Sequence, residues 1–178
     1  MNRGILTGWM GDFPNLLIDM GWKDNPVTGK TCIRLTYAPG KPQSVNWAGL
    51  ALQQNPENYW GSLRGGYDLT RAKRLFFYAR GEKGGERVEF KMGRMKKQYE
   101  KSSSGTTGVI SLTRDWKLYE LDLSKLKLEE MAGGFCIILS REAGVDPRSI
   151  YLDEIYFSNE VTPMALRVDK PGIQLGKK

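Results

Sequence analysis

Apolar residues in this chain come in short runs that alternate with polar residues, and residues 75–92 show the pattern most clearly. Val88, Phe90 and Met92 alternate with charged residues, and a period of two is typical of a half-buried β-strand. The preceding run, 75–80, is rich in aromatic residues, and the three glycines that follow it favour a turn. This stretch predicts a β-hairpin whose apolar face other strands must cover.

Comparable runs recur along the chain at fairly regular spacing, with 21 glycines and 8 prolines spread between them. Helical signals are weak, and we expect only one or two helical turns, at 124–131. The pattern predicts an all-β fold, a two-sheet antiparallel β-sandwich of the jelly-roll kind with about nine strands. The predicted strands are 16–18, 31–37, 46–54, 75–80, 86–92, 109–112, 117–123, 135–140 and 149–157.

The length of 178 residues suits one domain with a sizeable core. We predict that residues 1–158 form the β-sandwich domain and that residues 159–178 form a basic C-terminal tail. Residues 93–108 are also basic and are rich in Ser and Gly, so we expect a loop there.

The formal charge of +7 is concentrated in two segments. Residues 83–101 carry seven Lys or Arg against three Glu, a net +4, and residues 161–178 carry four against one, a net +3. This distribution either favours an anionic partner or reflects a solvated loop and a solvated chain end. Nucleic acid is disfavoured as the partner, because the basic segment contains no known nucleic-acid-binding motif.

Histidine is absent, which removes the commonest general base and the usual zinc and copper ligands. An enzyme would need two facing carboxylates instead, for example Glu89 with Glu82 or Glu86. We therefore expect a non-catalytic protein.

The compartment in which the protein works is left open by the residues themselves. Cys32 and Cys136 are free to pair or to be simply buried. The first 12 residues lack the apolar core of a signal peptide, which fits a cytosolic protein or a mature secreted module. The longest apolar run, 135–139, is too short to cross a bilayer.

Several motifs, taken in order, resemble those of jelly-roll carbohydrate-binding modules from bacterial polysaccharide-degrading systems, a galactose-binding-like β-sandwich family. The resemblance covers residues 9–157 and implies a secreted or cell-surface module that binds polysaccharide or oligosaccharide and is often attached to a glycoside hydrolase. The motifs are Trp47-Ala48-Gly49, Asn58-Tyr59-Trp60-Gly61, Gly66-Tyr67-Asp68-Leu69-Thr70, Tyr78-Ala79-Arg80-Gly81-Glu82-Lys83-Gly84-Gly85-Glu86, Val88-Glu89-Phe90-Lys91 and Tyr151-Leu152-Asp153-Glu154-Ile155.

The same resemblance implies a structural calcium ion. Its ligand on the last strand is Asp153, and its N-terminal partner is Asp19 or Asp12, with Asp24 as a third option. Calcium takes six to eight oxygen ligands, which carboxylates and loop carbonyls supply. The alternative is that Asp153 only accepts hydrogen bonds from a turn.

A sugar-binding surface needs flat aromatic side chains for the C–H faces of the sugar and polar side chains for its hydroxyls. We expect this surface on the outward sides of strands 46–54, 86–92 and 134–140, with the adjacent loop closing one end. The strand residues are Trp47, Gln53, Arg87, Glu89, Lys91 and Phe135, and the loop residues are Tyr59 and Trp60.

The charge of the ligand is also open at this stage. Ala51, Leu52 and Ile137 stand where members of the family carry further aromatic residues, so a neutral glucan platform is incomplete here. Arg87 and Lys91 make an anionic polysaccharide an option, because charge-assisted hydrogen bonds to carboxylates are the stronger ones. The alternative function is a structural or assembly β-sandwich that binds a protein or an anionic polymer through its basic loop and tail.

Overall fold

The computed structural model of the chain describes residues 5–40, 45–53, 65–93, 103–131, 133–142 and 146–164. Ten strands lie in these ranges, and the single helical element among them is a 3-10 turn at Phe13–Asn15. The strands are β1 (Ile5–Gly11), β2 (Leu16–Trp22), β3 (Cys32–Tyr37), β4 (Trp47–Gln53), β5 (Arg74–Gly81), β6 (Arg87–Gly93), β7 (Ser104–Ser111), β8 (Lys117–Asp122), β9 (Gly133–Ser140) and β10 (Arg148–Ser158).

The strands form two five-stranded sheets, and every pair of neighbouring strands is antiparallel. The first sheet has the order β1-β4-β9-β6-β7, and the second has the order β2-β3-β10-β5-β8. The predicted fold class, an all-β two-sheet sandwich, is therefore confirmed.

The predicted hairpin between β5 and β6 is wrong, because the two strands belong to different sheets. The glycine-rich connection carries the chain across the sandwich, so that the apolar sides of both strands face each other. Phe77 of β5 and Phe90 of β6 meet with their ring centroids 4.6 Å apart, and Phe135 of β9 lies 5.1 Å from Phe77. The alternation in residues 86–92 correctly identified the inward side of β6 but not its neighbouring strands.

Two strand assignments also differ from the prediction. Residues 5–11 form β1, which pairs with β4, where we expected an irregular segment. Strand β7 begins at Ser104, inside the segment predicted as a loop. Glycines and a register shift interrupt the alternation of these strands, so their sequences do not reveal them. Residues 124–131 form turns and isolated bridges instead of the expected helical turns.

The main core lies between the sheets, and a second apolar cluster covers the outer side of the second sheet. This cluster holds Val27, Cys32, Tyr78, Trp116 and Tyr151. The guanidinium of Arg80 lies 3.8 Å from the ring centroid of Tyr151 and 5.3 Å from that of Trp116. The outer side of the second sheet is therefore partly covered by its own side chains.

The two cysteines do not form a disulfide with each other, and both are buried, Cys32 in the second sheet and Cys136 in the first. The structure thus settles the question of a disulfide left open by the sequence. In the described parts of the chain there is no helix of the length and apolarity that a membrane crossing requires. Residues 165–178, most of the predicted basic tail, lie outside the described residues, so the proposed domain boundary stays a prediction.

Candidate functional site

Strand pairing places one residue from each strand of the first sheet in a row across its outer side. Because neighbouring strands are about 4.8 Å apart, the row spans roughly 19 Å across five strands. We call these residues the cross-strand row: Met10, Gly49, Ile138, Glu89 and Val109.

Trp47 lies beside one end of the cross-strand row, at the start of β4 and opposite Ser140 of β9. Its side chain is 36% exposed, whereas the next residue, Ala48, is fully buried in the core. At the other end of the row, on β7, Val109 is 54% exposed. The outer side therefore has an aromatic surface at one end and an aliphatic one at the other.

Charged side chains on β6 lie between these two ends. The Lys91 ammonium is 3.2 Å from a carboxylate oxygen of Glu89, and the Thr106 hydroxyl donates to that same oxygen at 2.7 Å. Glu89 is thus held in one orientation by two neighbours, and its second oxygen can accept hydrogen bonds from a ligand.

Arg87 is held by a carboxylate that also belongs to a buried ionic network. Its guanidinium is 3.7 Å from Glu142, whose other oxygen is 3.1 Å from the buried guanidinium of Arg148. Asp146 lies 3.2 Å from the same Arg148. A shallow depression of about 100 Å³ opens beside Arg87, with Ser140 in its lining.

Four of the predicted ligand-binding residues, Trp47, Arg87, Glu89 and Lys91, are brought to one side of the first sheet. Tyr59 and Trp60 lie outside the described residues, as does the side chain of Gln53.

Phe135 is a correction to the predicted surface, because its ring is buried in the main core and stacks with Phe90. The run 135–139 is apolar throughout, so nothing in it marks which residues face outward. Sequence reasoning also missed Met10, Ile138, Val109 and Glu142, because β1 and β7 were not fully recognised and isolated aliphatic residues carry no binding signal.

The three candidate metal ligands do not gather around one point. Asp12 is buried at one end of β3, where it accepts hydrogen bonds from the Tyr37 hydroxyl at 3.1 Å and the Asn15 amide at 2.8 Å. Asp153 lies at the other end of that strand, beyond the pairing of Leu152 with Ile33. The strand spans about 17 Å between its ends, so Asp12 and Asp153 do not share an ion.

Asp153 has the surroundings of a loop anchor. It accepts hydrogen bonds from the backbone N–H groups of Val27 at 2.8 Å, Thr28 at 3.4 Å and Glu154 at 2.9 Å. Burial raises the pKa of its carboxyl group, while these N–H groups oppose the shift. Asp19 caps the backbone N–H of Gly21 at 2.8 Å.

Among the described residues no three acidic, His or Cys side chains come together in a way that would hold a metal. The three N–H groups around Asp153 are hydrogen bonds of the kind that the turn alternative expects. The calcium ion implied by the family resemblance stays a prediction.

Comparison with solved structures finds the same architecture in carbohydrate-binding modules. A family 30 module matches with a TM-score of 0.63 and 18% identity, over 94% of this chain and 89% of the module. A family 11 module from Clostridium thermocellum, solved with a β-1,3-1,4-mixed-linked tetrasaccharide, matches with a TM-score of 0.52 and 10% identity, over 85% of this chain and 84% of the module.

An enzyme also contains this fold as one part. A structure of an exo-β-agarase matches with a TM-score of 0.53 and 8% identity, over 93% of this chain but 24% of the enzyme chain. No sequence-family model matches the chain, and the search of curated proteins finds no match either. The predicted resemblance to carbohydrate-binding modules is therefore confirmed at the level of the fold.

Proposed function

We propose that this protein is a non-catalytic carbohydrate-binding module that binds a polysaccharide on the outer side of its first sheet. The observation that carries the proposal is the cross-strand row together with exposed Trp47 beside it. The polar side chain of Glu89 lies within the row and is held in place by its neighbours. An indole offers a flat apolar surface to the C–H face of a sugar, and Glu89 and Arg87 offer hydrogen-bond partners to its hydroxyls.

The dimensions of the row favour an extended ligand. A surface of roughly 19 Å across five strands is longer than one sugar ring, so several consecutive units of a chain would lie between Trp47 and Val109. We expect affinity to rise with oligosaccharide length until the row is filled.

The ion pairs of this surface bear on the charge of the ligand. Lys91 and Arg87 each face a carboxylate, so neither cation is fully available to an acidic sugar. Arg87 is the more exposed of the two, and its pair is the longer at 3.7 Å. Because both cations already have a carboxylate partner, we propose uncharged polysaccharides first. Exposed pairs of this kind are weak, so Arg87 can exchange Glu142 for an acidic sugar, and anionic polysaccharides stay the second candidate.

In neither carboxylate pair considered for catalysis do the two members line one pocket. Glu82 and Glu86 line a depression beside Arg148, whereas Glu89 lines another one on the first sheet. Glu82 pairs with Arg34 of the second sheet at 3.6 Å, and Glu86 is buried. Glu89 lies on the outer side of the first sheet, where Lys91 and Thr106 hold it. This arrangement supports a binding role rather than hydrolysis.

The proposed setting is a secreted or cell-surface module of a larger polysaccharide-degrading protein. The agarase supports this, since the same architecture makes up only part of that enzyme. A structural or assembly role through the basic loop and tail is the alternative, and its key residues, 94–102 and 165–178, lie outside the described ranges.

Affinity electrophoresis against neutral and acidic polysaccharides tests the proposal. We expect retardation by at least one glycan, lost in Trp47→Ala and retained in Leu17→Ala, a control that removes an exposed apolar side chain of the second sheet. Trp60→Ala tests the predicted end wall in the same gels. Absence of retardation by every glycan, or retardation that Trp47→Ala leaves unchanged, would overturn the proposal and favour the assembly role.

A further inference from the structure

The indole of Trp47 lies against two glycines of neighbouring strands. A Cβ atom placed on Gly49 would come within 3.3 Å of Cζ3 of the indole, and one placed on Gly11 would come within 3.0 Å of its Cε3. The Cε3–Cζ3 edge of the six-membered ring therefore lies close to the backbone of β4 and β1. Any side chain at either position would meet the ring.

Met10 approaches the same point from β1. Its terminal methyl would lie 3.1 Å from a Cβ atom on Gly49, so Met10 and Trp47 converge above this glycine. The backbone carbonyl oxygen of Ile137, on β9, would lie at the same distance of 3.1 Å. Contacts at this distance are tighter than ordinary van der Waals packing, so a methyl group on Gly49 would have to shift these neighbours by a few tenths of an ångström.

The backbone of Gly49 does not itself require glycine. Gly11 has a φ of +62°, in the left-handed region that favours glycine, whereas Gly49 is not among the residues with positive φ. In the interior of a strand, glycine is destabilising relative to residues with side chains. The physical reason for glycine at this position is then the space it leaves for Trp47, for Met10 and for the Ile137 carbonyl oxygen.

We infer that Gly49 is a positioning residue for the ligand surface, which keeps the Trp47 indole flat against the sheet with Met10 beside it. This inference rests on the proposed function and adds a specificity-determining feature to the same site. A ring that lies flat presents its whole face to a sugar passing along the row. A ring lifted by a methyl group would stand in the path of that sugar.

The test compares Gly49→Ala with Gly21→Ala, which adds the same methyl group to a strand of the other sheet. At Gly21 the nearest atom is an Asp19 carboxylate oxygen at 3.5 Å, an ordinary contact. We expect both variants to fold, by circular dichroism and thermal unfolding. We expect Gly49→Ala alone to lose glycan affinity, by a factor of about ten, comparable with Trp47→Ala.

A measurement made without sugar distinguishes a displaced Trp47 ring from a general loss of structure in Gly49→Ala. In nuclear Overhauser spectra we expect contacts between the Met10 methyl and the Trp47 ring protons in the wild-type protein and in Gly21→Ala, and their loss in Gly49→Ala. If Gly49→Ala does not fold, glycan affinity alone is compared in the Met10→Ala background, which removes one of the crowding atoms. There the added Gly49→Ala change is expected to lower affinity relative to Met10→Ala alone.

The outcomes distinguish the two proposals. Unchanged affinity and unchanged Met10–Trp47 contacts in Gly49→Ala would overturn the positioning role while leaving the binding surface intact. If the wild-type protein bound no glycan, the proposed function would fail. The nuclear Overhauser contacts between Met10 and Trp47 would then still test whether Gly49 sets the position of the Trp47 ring.

Discussion

At the scale of single residues, Gly81 and Glu86 show how one missing side chain makes room for a buried charge. Glu86 is 4% exposed, and one of its carboxylate oxygens accepts the backbone N–H of Lys83 at 2.6 Å. The other oxygen occupies the space in which a Cβ atom of Gly81 would stand. Glycine at position 81 therefore leaves the space that the Glu86 carboxylate fills. That buried carboxylate also accepts a hydrogen bond from the connection between the two sheets.

We expect Gly81→Ala to lower the free energy of unfolding by about 1–3 kcal/mol, because the added methyl group displaces the Glu86 carboxylate from its position. Urea unfolding measures the change. In a double-mutant cycle with Glu86→Ala, the two losses should be less than additive, since removal of the carboxylate also removes the clash. Full additivity of the two changes would contradict this account.

At the scale of elements, the loop between β2 and β3 is held by hydrogen bonds to Asp153 of β10 and to Trp116, the residue just before β8. Asp153 of β10 accepts two of its backbone N–H groups, and the indole N–H of Trp116 donates to the carbonyl oxygen of Asn25 at 2.8 Å. Asn25 has a φ of 52°, a conformation that this side-chain hydrogen bond helps to hold. The loop supplies Val27 to the second apolar cluster.

Loss of the Asp153 carboxylate should release this loop. We expect Asp153→Ala to lower the free energy of unfolding by about 2–3 kcal/mol, the usual range for hydrogen bonds to a charged group. Asp24→Ala, a change in the exposed part of the same loop, should have little effect. Differential scanning calorimetry measures both.

The same experiment, repeated with calcium and with a chelator, tests the ion implied by the family resemblance. A loop anchor predicts that the unfolding temperature of the wild-type protein is the same in both conditions. A lower temperature with chelator that Asp153→Ala abolishes would show that Asp153 holds an ion instead.

At the scale of the whole molecule, buried thiol and phenol groups make the free energy of unfolding depend on pH in the alkaline range. Burial raises the pKa of the Cys32 thiol, with the charge of Asp153 adding to it, from 9.0 to about 11, and burial raises the pKa of Cys136 to about 12. Burial also raises the pKa of Tyr37, to about 12, with the hydrogen bond to Asp12 adding to it. All three groups keep their protons more tightly in the folded state than in the unfolded chain.

A folded-state pKa above the unfolded value stabilises the fold below the unfolded pKa and loses that contribution as pH rises. We therefore expect the free energy of unfolding to be level from pH 7 to about 8.5 and to fall by about 2 kcal/mol or more between pH 9 and 11. Urea unfolding at several pH values measures this. The Cys32→Ala/Cys136→Ala variant, compared with its own value at pH 7, should lose less, and an equal loss would contradict the assignment to the thiols.

The sequence alone was sufficient where alternation was unambiguous. Val88, Phe90 and Met92 are buried as their spacing predicts, and in β4 the alternation correctly placed Trp47 outward and Ala48 and Leu50 in the core. A strand has only two sides, and the charged residues at every second position of β6 identify its outward side. From these strands the fold class and four of the candidate site residues follow.

The tertiary structure alone decided which strands became neighbours. Strands β5 and β6 are adjacent in the chain but lie in opposite sheets, where the rings of Phe77 and Phe90 meet across the core. The alternation of apolar and polar residues within one strand does not tell which other strands it pairs with. Phe135 faces inward for a similar reason, since its run of apolar residues leaves both phases open until Phe77 and Phe90 fill the space beside it. The row that joins Met10 to Val109 exists only through the pairing of five strands, and its residues are far apart in the chain.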